Sequence, residues 1–183
     1  MKVLIDPGHG GADSGAIGPS ATCEKDLVLG VSQQLAAYLR WDDFDVALTR
    51  IEDVFISLEQ RCAMAANFNA DLFVSIHANA YHNPAARGFE VWTNPLLDAA
   101  DEVAARIWHK FRTAFPLMVG RTDLSDGDPD KESKFYVLVH TPCPAVLVEL
   151  GFISNPSEEL RLISPSWRNR AVAAIGEAIS EWR

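Results

Sequence analysis

Three short runs of β-forming residues in this chain each contain or precede a side chain that can bind a metal. Lys2 to Asp6 leads to His9, Leu72 to His77 ends in a histidine, and Ala145 to Leu150 contains Glu149. Apolar runs of this length, rich in Val, Ile and Leu, are typical of buried strands. The pattern constrains the fold, because the carboxyl ends of parallel strands meet at one edge of a sheet and bring such side chains together.

Amphipathic segments between these runs predict helices. From Lys25 to Trp41 apolar residues recur at three- and four-residue spacing, which predicts a helix that begins just after Glu24. Ser57-Leu58-Glu59-Gln60 has the pattern of a capping box, for a helix that ends at about Phe68. Helical periodicity also marks Asp98 to Phe115 and Trp167 to Trp182. Strands and helices therefore alternate along the chain.

Three further strands complete the predicted sheet: Asp45 to Arg50, Gly88 to Trp92 and Phe135 to His140. About ten residues separate the strand that ends at His77 from the one that begins at Gly88, too few for a helical crossover, so we expect a mixed sheet. The prediction is a single α/β domain over residues 1–183, with three α/β/α layers and a mostly parallel, mixed sheet of about six strands.

The charge and hydropathy of the chain argue against several classes of function. Its formal net charge is -9, and its basic residues form no cluster. We therefore expect no nucleic-acid partner, since phosphate binding relies on clustered Lys and Arg. No run approaches the ~18 apolar residues of a membrane span, and no apolar leader follows Met1. No heptad seam is present either, which favours a monomer.

The three cysteines are too few and too irregularly spaced for a disulfide framework, and we expect free thiols at Cys23, Cys62 and Cys143. Cys23 is the exception to watch. It precedes Glu24 and is a soft potential ligand for zinc.

Four side chains, those of His9, Glu24, His77 and Glu149, have the composition of a catalytic zinc site. Such sites take three protein ligands from histidine and carboxylate and leave a fourth position for water. The metal makes that water more acidic, and a nearby carboxylate accepts its proton. Both glutamates lie at the ends of predicted elements. Spacing alone therefore leaves open which of them binds metal and which moves protons.

Each of these residues has a simpler structural interpretation when taken alone. A histidine at a strand end is commonly a satisfied structural residue, and a glutamate before a helix complements the helix dipole. Glu149 is the hardest to explain in this way, because an unpaired carboxylate in an apolar strand is costly to bury. Of the remaining histidines, His82 and His109 are expected on the surface, and His140 is a candidate for the rim of the site.

These segments resemble the zinc-dependent N-acetylmuramoyl-L-alanine amidases of bacterial cell-wall turnover and phage lysis. The resemblance covers nearly the whole chain and is highly specific when its motifs are taken together. They are Ile5-Asp6-Pro7-Gly8-His9-Gly10-Gly11, Glu24-Lys25-Asp26-Leu27, Leu48-Thr49-Arg50, Ser75-Ile76-His77-Ala78-Asn79, Pro144-Ala145-Val146-Leu147-Val148-Glu149 and Gly151-Phe152-Ile153-Ser154-Asn155.

The resemblance implies a role for each of the four side chains. His9, Glu24 and His77 become the implied ligands of one Zn²⁺ per chain, and Glu149 becomes the implied catalytic carboxylate. The implied reaction hydrolyses the amide between N-acetylmuramic acid and the L-alanine that begins the stem peptide of peptidoglycan.

Three more polar residues are candidates to orient the ligands or to contact substrate: Asn79, Asp6 and Asp13. Zinc-bound imidazoles commonly donate their other N–H to an oxygen, which all three offer. The chain also departs from the family in two places. Val139 stands where members commonly have a basic residue, so we assign no anionic substrate contact there. Gly88 to Phe135 lacks the long helical insertion that covers the zinc in some cell-division members, so we expect an open site.

The expected partner is peptidoglycan or a muropeptide, at an extracellular or periplasmic cell wall. With no signal peptide in this chain, phage-type release or a removed leader would supply export. One alternative is a zinc amidase or carboxypeptidase that acts on soluble muropeptides. A carboxypeptidase needs an arginine to bind the terminal carboxylate of its substrate, and Arg87 and Arg121 are available in loops. Another alternative is a non-catalytic wall-binding module, which the complete ligand set disfavours.

Overall fold

A computed structural model describes residues 1–96, 99–125 and 127–183. Its strands are β1 (Lys2–Pro7), β2 (Asp45–Leu48), β3 (Leu72–Asn79), β4 (Glu90–Thr93), β5 (Lys131–Glu132) and β6 (Ala145–Phe152). Its helices are α1 (Glu24–Trp41), α2 (Leu58–Phe68), α3 (Ala99–Ala114), α4 (Tyr136–His140), α5 (Pro156–Leu162) and α6 (Pro165–Trp182).

The strands form one mixed sheet in the order β2-β1-β3-β6-β4-β5. The first four are parallel to one another, β4 is antiparallel to β6, and β5 is parallel to β4. The prediction of a mostly parallel, mixed sheet is confirmed. As a result, the carboxyl ends of β1, β3 and β6 and the amino end of β4 lie at the same edge.

Helices cover both faces of the sheet. Apolar side chains of α1, α3 and α6 share one buried cluster with Val74 and Ile76 of β3, and those of α2 and α4 share another with Phe73. Side chains alternate between faces along a strand. His77 therefore shares the face of Phe73, and Glu149 shares the face of its fellow β6 residues Ala145 and Leu147, which is the face of α2 and α4.

The segment Phe135 to His140 was predicted as a strand, and that prediction is wrong, because Tyr136–His140 is helix α4. Its apolar, β-branched residues satisfy the strand pattern locally. Both edges of β6 are already paired, with β3 and with β4, so the sheet offers this segment no place there. It buries Val137 and Leu138 against α2 instead. The Thr141 hydroxyl donates to the Val137 carbonyl at the carboxyl end of the helix.

Other boundaries follow local signals closely. The predicted capping box is present, with Ser57 and Gln60 bonded reciprocally at the start of α2. Helix α3 runs to Ala114, and its predicted first residue, Asp98, lies outside the described residues. Two elements were not predicted, the two-residue strand β5 and helix α5. None of the helices in the described part of the chain is long and apolar enough to cross a membrane.

Candidate metal centre

Three side chains that could bind a metal converge at the carboxyl ends of β1 and β3. Ligand atoms of His9, Glu24 and His77 all lie within 4.8 Å of one another. Glu24 Oε1 is 3.1 Å from His9 Nε2 and 3.1 Å from His77 Nδ1. The ring centroids of the two histidines are 4.9 Å apart, with the rings 80° from parallel. Two imidazole nitrogens and a carboxylate oxygen are a donor set that suits zinc.

Two buried arginines shape the loop that carries His9. The φ angle of His9 is 60°, a left-handed conformation that is uncommon for residues other than glycine. Arg61 Nη2 donates to the His9 carbonyl over 2.8 Å, and Arg50 Nη2 donates to the Gly8 carbonyl over 2.7 Å. Gly8 is required here, because a Cβ atom at this position would lie 2.2 Å from His77 Cε1. The backbone thus brings β1 and His77 into direct contact.

Glu24, the first residue of α1, is almost completely buried. Its Oε1 accepts a hydrogen bond from the Ala78 amide, and its Oε2 accepts one from the Ala16 amide, each over 2.9 Å. Burial by itself would raise the pKa of Glu24. The hydrogen bonds and charges of His77 and His9 outweigh this effect and hold the pKa below its usual range. The side chain is therefore ionised, the form that binds a cation.

Asp13 fixes the orientation of the His9 ring. Asp13 Oδ2 lies 2.9 Å from His9 Nδ1, and Asp13 Oδ1 accepts a hydrogen bond from the Gly15 amide over 3.0 Å. Burial disfavours the charged form of the ring, but contacts with Glu24 and Asp13 outweigh it and raise the pKa of His9. Because Nδ1 of His9 contacts Asp13, its Nε2 atom faces Glu24.

Glu149 lies beside this group of three side chains. It pairs with His77 in the register of β3 and β6, so the two side chains share a face. Its Oε2 atom is shielded from solvent and has no hydrogen-bond partner among the described residues. Burial, followed by the charges of Glu24 and Glu90, raises the pKa of Glu149 well above its usual range. An unpaired carboxylate with this affinity for protons can act as an acid or a base.

Two of the other predicted residues lie near the metal-binding group but bond elsewhere. Asp6 accepts hydrogen bonds from Thr49, Arg61 and Ser75 over 2.5 to 2.8 Å. These bonds tie β1 to the end of β2, to β3 and to the arginine that holds the His9 loop. Asn79 donates to Glu90 over 2.6 Å.

Sequence reasoning missed Glu90, which is 2% exposed and pairs with Glu149 across β4 and β6. A charged residue in an otherwise apolar strand was the available signal.

The remaining candidates are peripheral. Cys23 does not belong to the group of converging donors, and all three cysteines are free. His82 and His109 are exposed, as predicted. His140 is exposed too, and its Nδ1 lies 3.0 Å from the Tyr136 carbonyl oxygen within α4.

The fold and these side chains define a class. A sheet whose strand ends bring together two imidazoles, an ionised carboxylate and a second, unpaired carboxylate has the arrangement of a hydrolase. Known proteins agree with this interpretation. The family model described as N-acetylmuramoyl-L-alanine amidase matches residues 3–181.

Individual amidases are similar to this chain over most of their own lengths. The N-acetylmuramoyl-L-alanine amidase AmiA of Salmonella typhimurium is 33% identical over 97% of this chain and 74% of its own length. The solved amidase AmiC2 of Nostoc punctiforme is 33% identical, covers 100% of this chain and 96% of its own, and has a TM-score of 0.89. A Clostridium difficile amidase is 34% identical over 99% of this chain and 95% of its own, with a TM-score of 0.91. The chain therefore belongs to the N-acetylmuramoyl-L-alanine amidase family of hydrolases.

Proposed function

We propose that this protein is a zinc-dependent amidase that hydrolyses the bond between N-acetylmuramic acid and the L-alanine of the stem peptide in bacterial peptidoglycan. The observation that carries the proposal is the pairing of His77 with Glu149 across β3 and β6. It sets Glu149, whose Oε2 has no hydrogen-bond partner within the described part of the chain, next to a group of three converging donors. Amide hydrolysis requires both parts, since a water molecule must be activated and a proton must reach the leaving amine.

His9, Glu24 and His77 would hold the zinc ion. Their three ligand atoms lie close enough to share one ion, and the donor set of two nitrogens and one oxygen suits zinc. When bound there, zinc polarises a carbonyl oxygen and makes a water molecule more acidic. Asp13 contributes by holding the His9 ring through Nδ1, which keeps Nε2 directed at the site.

Glu149 would move the proton. As a carboxylate it accepts the proton of the attacking water, and as a carboxylic acid it donates that proton to the amine of L-alanine as the C–N bond breaks. Its raised pKa supports the second step, because a strongly acidic group would not hold the proton long enough to deliver it. No hydrogen bond to Oε2 from a described residue competes for this proton.

A cavity of about 220 Å³ adjoins the site and suits a small part of the substrate. Its walls include His9 and His77, together with the apolar side chains of Phe55, Leu58 and Val137. This volume is below the roughly 300 Å³ of typical ligand pockets. It fits one compact group near the scissile bond, while the rest of the polymer lies outside.

Under this proposal the protein acts at the cell wall, in an extracellular or periplasmic setting. It acts as a monomer. The substrate is either the insoluble wall or a soluble muropeptide, and the two are separated by assay. Purified peptidoglycan and a soluble muropeptide should be incubated side by side with the same enzyme preparation. Release of free stem peptide from each is then compared.

The mechanism is tested by removing the metal and the carboxylate of Glu149 in separate experiments. A chelator should abolish release and added zinc should restore it, because without the metal the carbonyl is not polarised and the water is not made more acidic. Glu149→Gln should retain zinc but lose at least about 100-fold in kcat, the scale of general acid–base catalysis. Glu102→Gln on the exposed surface of α3 is the matched control. Chelator-resistant release, or an active Glu149→Gln variant, would contradict the proposal.

A further inference from the structure

The buried carboxylate of Glu90 extends the row of functional side chains across the sheet. Glu149 pairs with His77 on one side and with Glu90 on the other. Residues directly opposite each other in a sheet share a face, with Cβ atoms about 5 Å apart. His77, Glu149 and Glu90 therefore form one row on the face of α2 and α4.

Glu90 has a full set of partners. Its Oε1 accepts a hydrogen bond from Asn79 Nδ2 over 2.6 Å, and its Oε2 accepts one from Lys131 Nζ over 2.6 Å. Arg121 Nε is 3.3 Å from Oε1 but makes no hydrogen bond among the described residues. Lys131 is thus the cation that Glu90 binds most closely. The Lys131 ammonium also lies 4.3 Å from the centroid of the Trp92 ring, which gives it a second attractive contact.

The neighbouring carboxylate of Glu149 lies one strand away from Glu90. Lys131 and Arg121 form their ion pairs with Glu90 and not with Glu149. In a partly buried site a lysine and a carboxylate attract each other strongly, because little water screens them. An ammonium released from Glu90 would meet two other carboxylates: Glu149, which lies opposite Glu90 in the sheet, and the exposed Asp123, on which the charge of Lys131 already acts. An ion pair with Glu149 is favoured, because its Oε2 atom is shielded from solvent. That ion pair would occupy the carboxylate that the reaction needs.

We propose that Glu90 is a positioning residue for the amidase reaction: by binding Lys131 it keeps this ammonium from pairing with Glu149. The inference rests on the proposed function of Glu149. It explains why the buried carboxylate of Glu90 lies beside Glu149, and why Lys131 and Arg121 both lie against Glu90. Asn79 belongs to the same arrangement, since its amide is held by Glu90 and not by an imidazole.

Four zinc-loaded proteins test the proposal on a defined muropeptide: wild type, Glu90→Gln, Lys131→Met and the double variant. The glutamine keeps an acceptor for Asn79 but loses the charge that binds Lys131. We expect Glu90→Gln to lower kcat at least about tenfold, a part of what a general base contributes. In that background Lys131→Met should raise kcat several-fold, because no ammonium remains to pair with Glu149. In the wild-type background it should not raise kcat.

A purely structural role for Glu90 predicts the opposite pattern, in which the two substitutions add their losses. Full activity of Glu90→Gln, or a double variant no better than Glu90→Gln, would overturn the inference. Zinc content and melting temperature show whether each variant is folded. If Glu90→Gln does not fold, Glu90→Asp replaces it, since its shorter side chain holds Lys131 less closely and the same rescue is expected. A wild type that cleaves nothing contradicts the proposed function, whereas an active wild type without rescue contradicts this inference alone.

Discussion

Glu24 unites the metal-binding group, because a single oxygen of its carboxylate faces both imidazoles. The Ala78 amide donates to that oxygen and the Ala16 amide donates to the other, and together they hold the carboxylate in place. Gly15 permits the close approach, since a Cβ atom there would lie 2.7 Å from Glu24 Oε2. The surrounding backbone therefore fixes the orientation of the Glu24 carboxylate.

Asp13 should strengthen metal binding without touching the metal. Asp13→Asn weakens the contact with His9 Nδ1 and leaves the ring free to turn, so we expect zinc affinity to fall about tenfold, as for other residues that orient ligands. Titration against a competing chelator measures this affinity. Asp26→Asn, the same change at an exposed position in the first turn of α1, is the control. Equal affinities for Asp13→Asn and wild type would show that Asp13 does not orient the ring.

At the residue scale, the sequence could single out His9, Glu24, His77 and Glu149 as candidates, because each lies inside or next to a clear local pattern. It could not identify the contacts of Asn79, or the role of Glu90. These depend on which strands become neighbours, and β4 pairs with β6 although more than fifty residues separate them in the chain.

At the element scale, local periodicity predicted the strands and helices that pack by one face, such as β3 and α1. It failed for α4, whose apolar residues suit a strand as well as a short buried helix. Only the occupied edges of β6 decide between these structures. Helix α5 did carry a signal, since Asn155 caps it and Pro156 is its first residue.

Helix α5 should stabilise the loop that precedes Glu24. Glu159 is fully buried and accepts hydrogen bonds from the amides of Ser20 and Thr22. Glu159→Gln removes the charge from these bonds, so we expect a loss of about 1–2 kcal/mol in the free energy of unfolding. Urea denaturation of the zinc-free protein measures it, with Glu102→Gln as the exposed control. An unchanged unfolding midpoint would show that the loop does not depend on this helix.

At the scale of the whole molecule, one face of the sheet forms the larger core and the other carries the candidate site. Helices α1, α3 and α6 bury one face, and the site occupies the edge of the other, beside α2 and α4. Between Gly88 and Phe135 the described residues contain one helix, α3, which packs against α6 on the first face. This helix therefore does not cover the site.

The isolated chain should consequently be active without a protein partner. We expect the zinc-loaded protein to release stem peptide at a rate proportional to its concentration, with no lag and no need for added extract. A rate that stays near zero until a second protein is supplied would contradict an open site.

The central claim is most directly tested by identifying the bond that is cut. A defined muropeptide should be treated with zinc-loaded protein, and the products analysed by mass spectrometry and by labelling of new amino termini. The account predicts L-alanine as the single new amino terminus and a free lactyl carboxylate on the sugar. A new amino terminus at any other residue, or an intact muropeptide and wall, would contradict it.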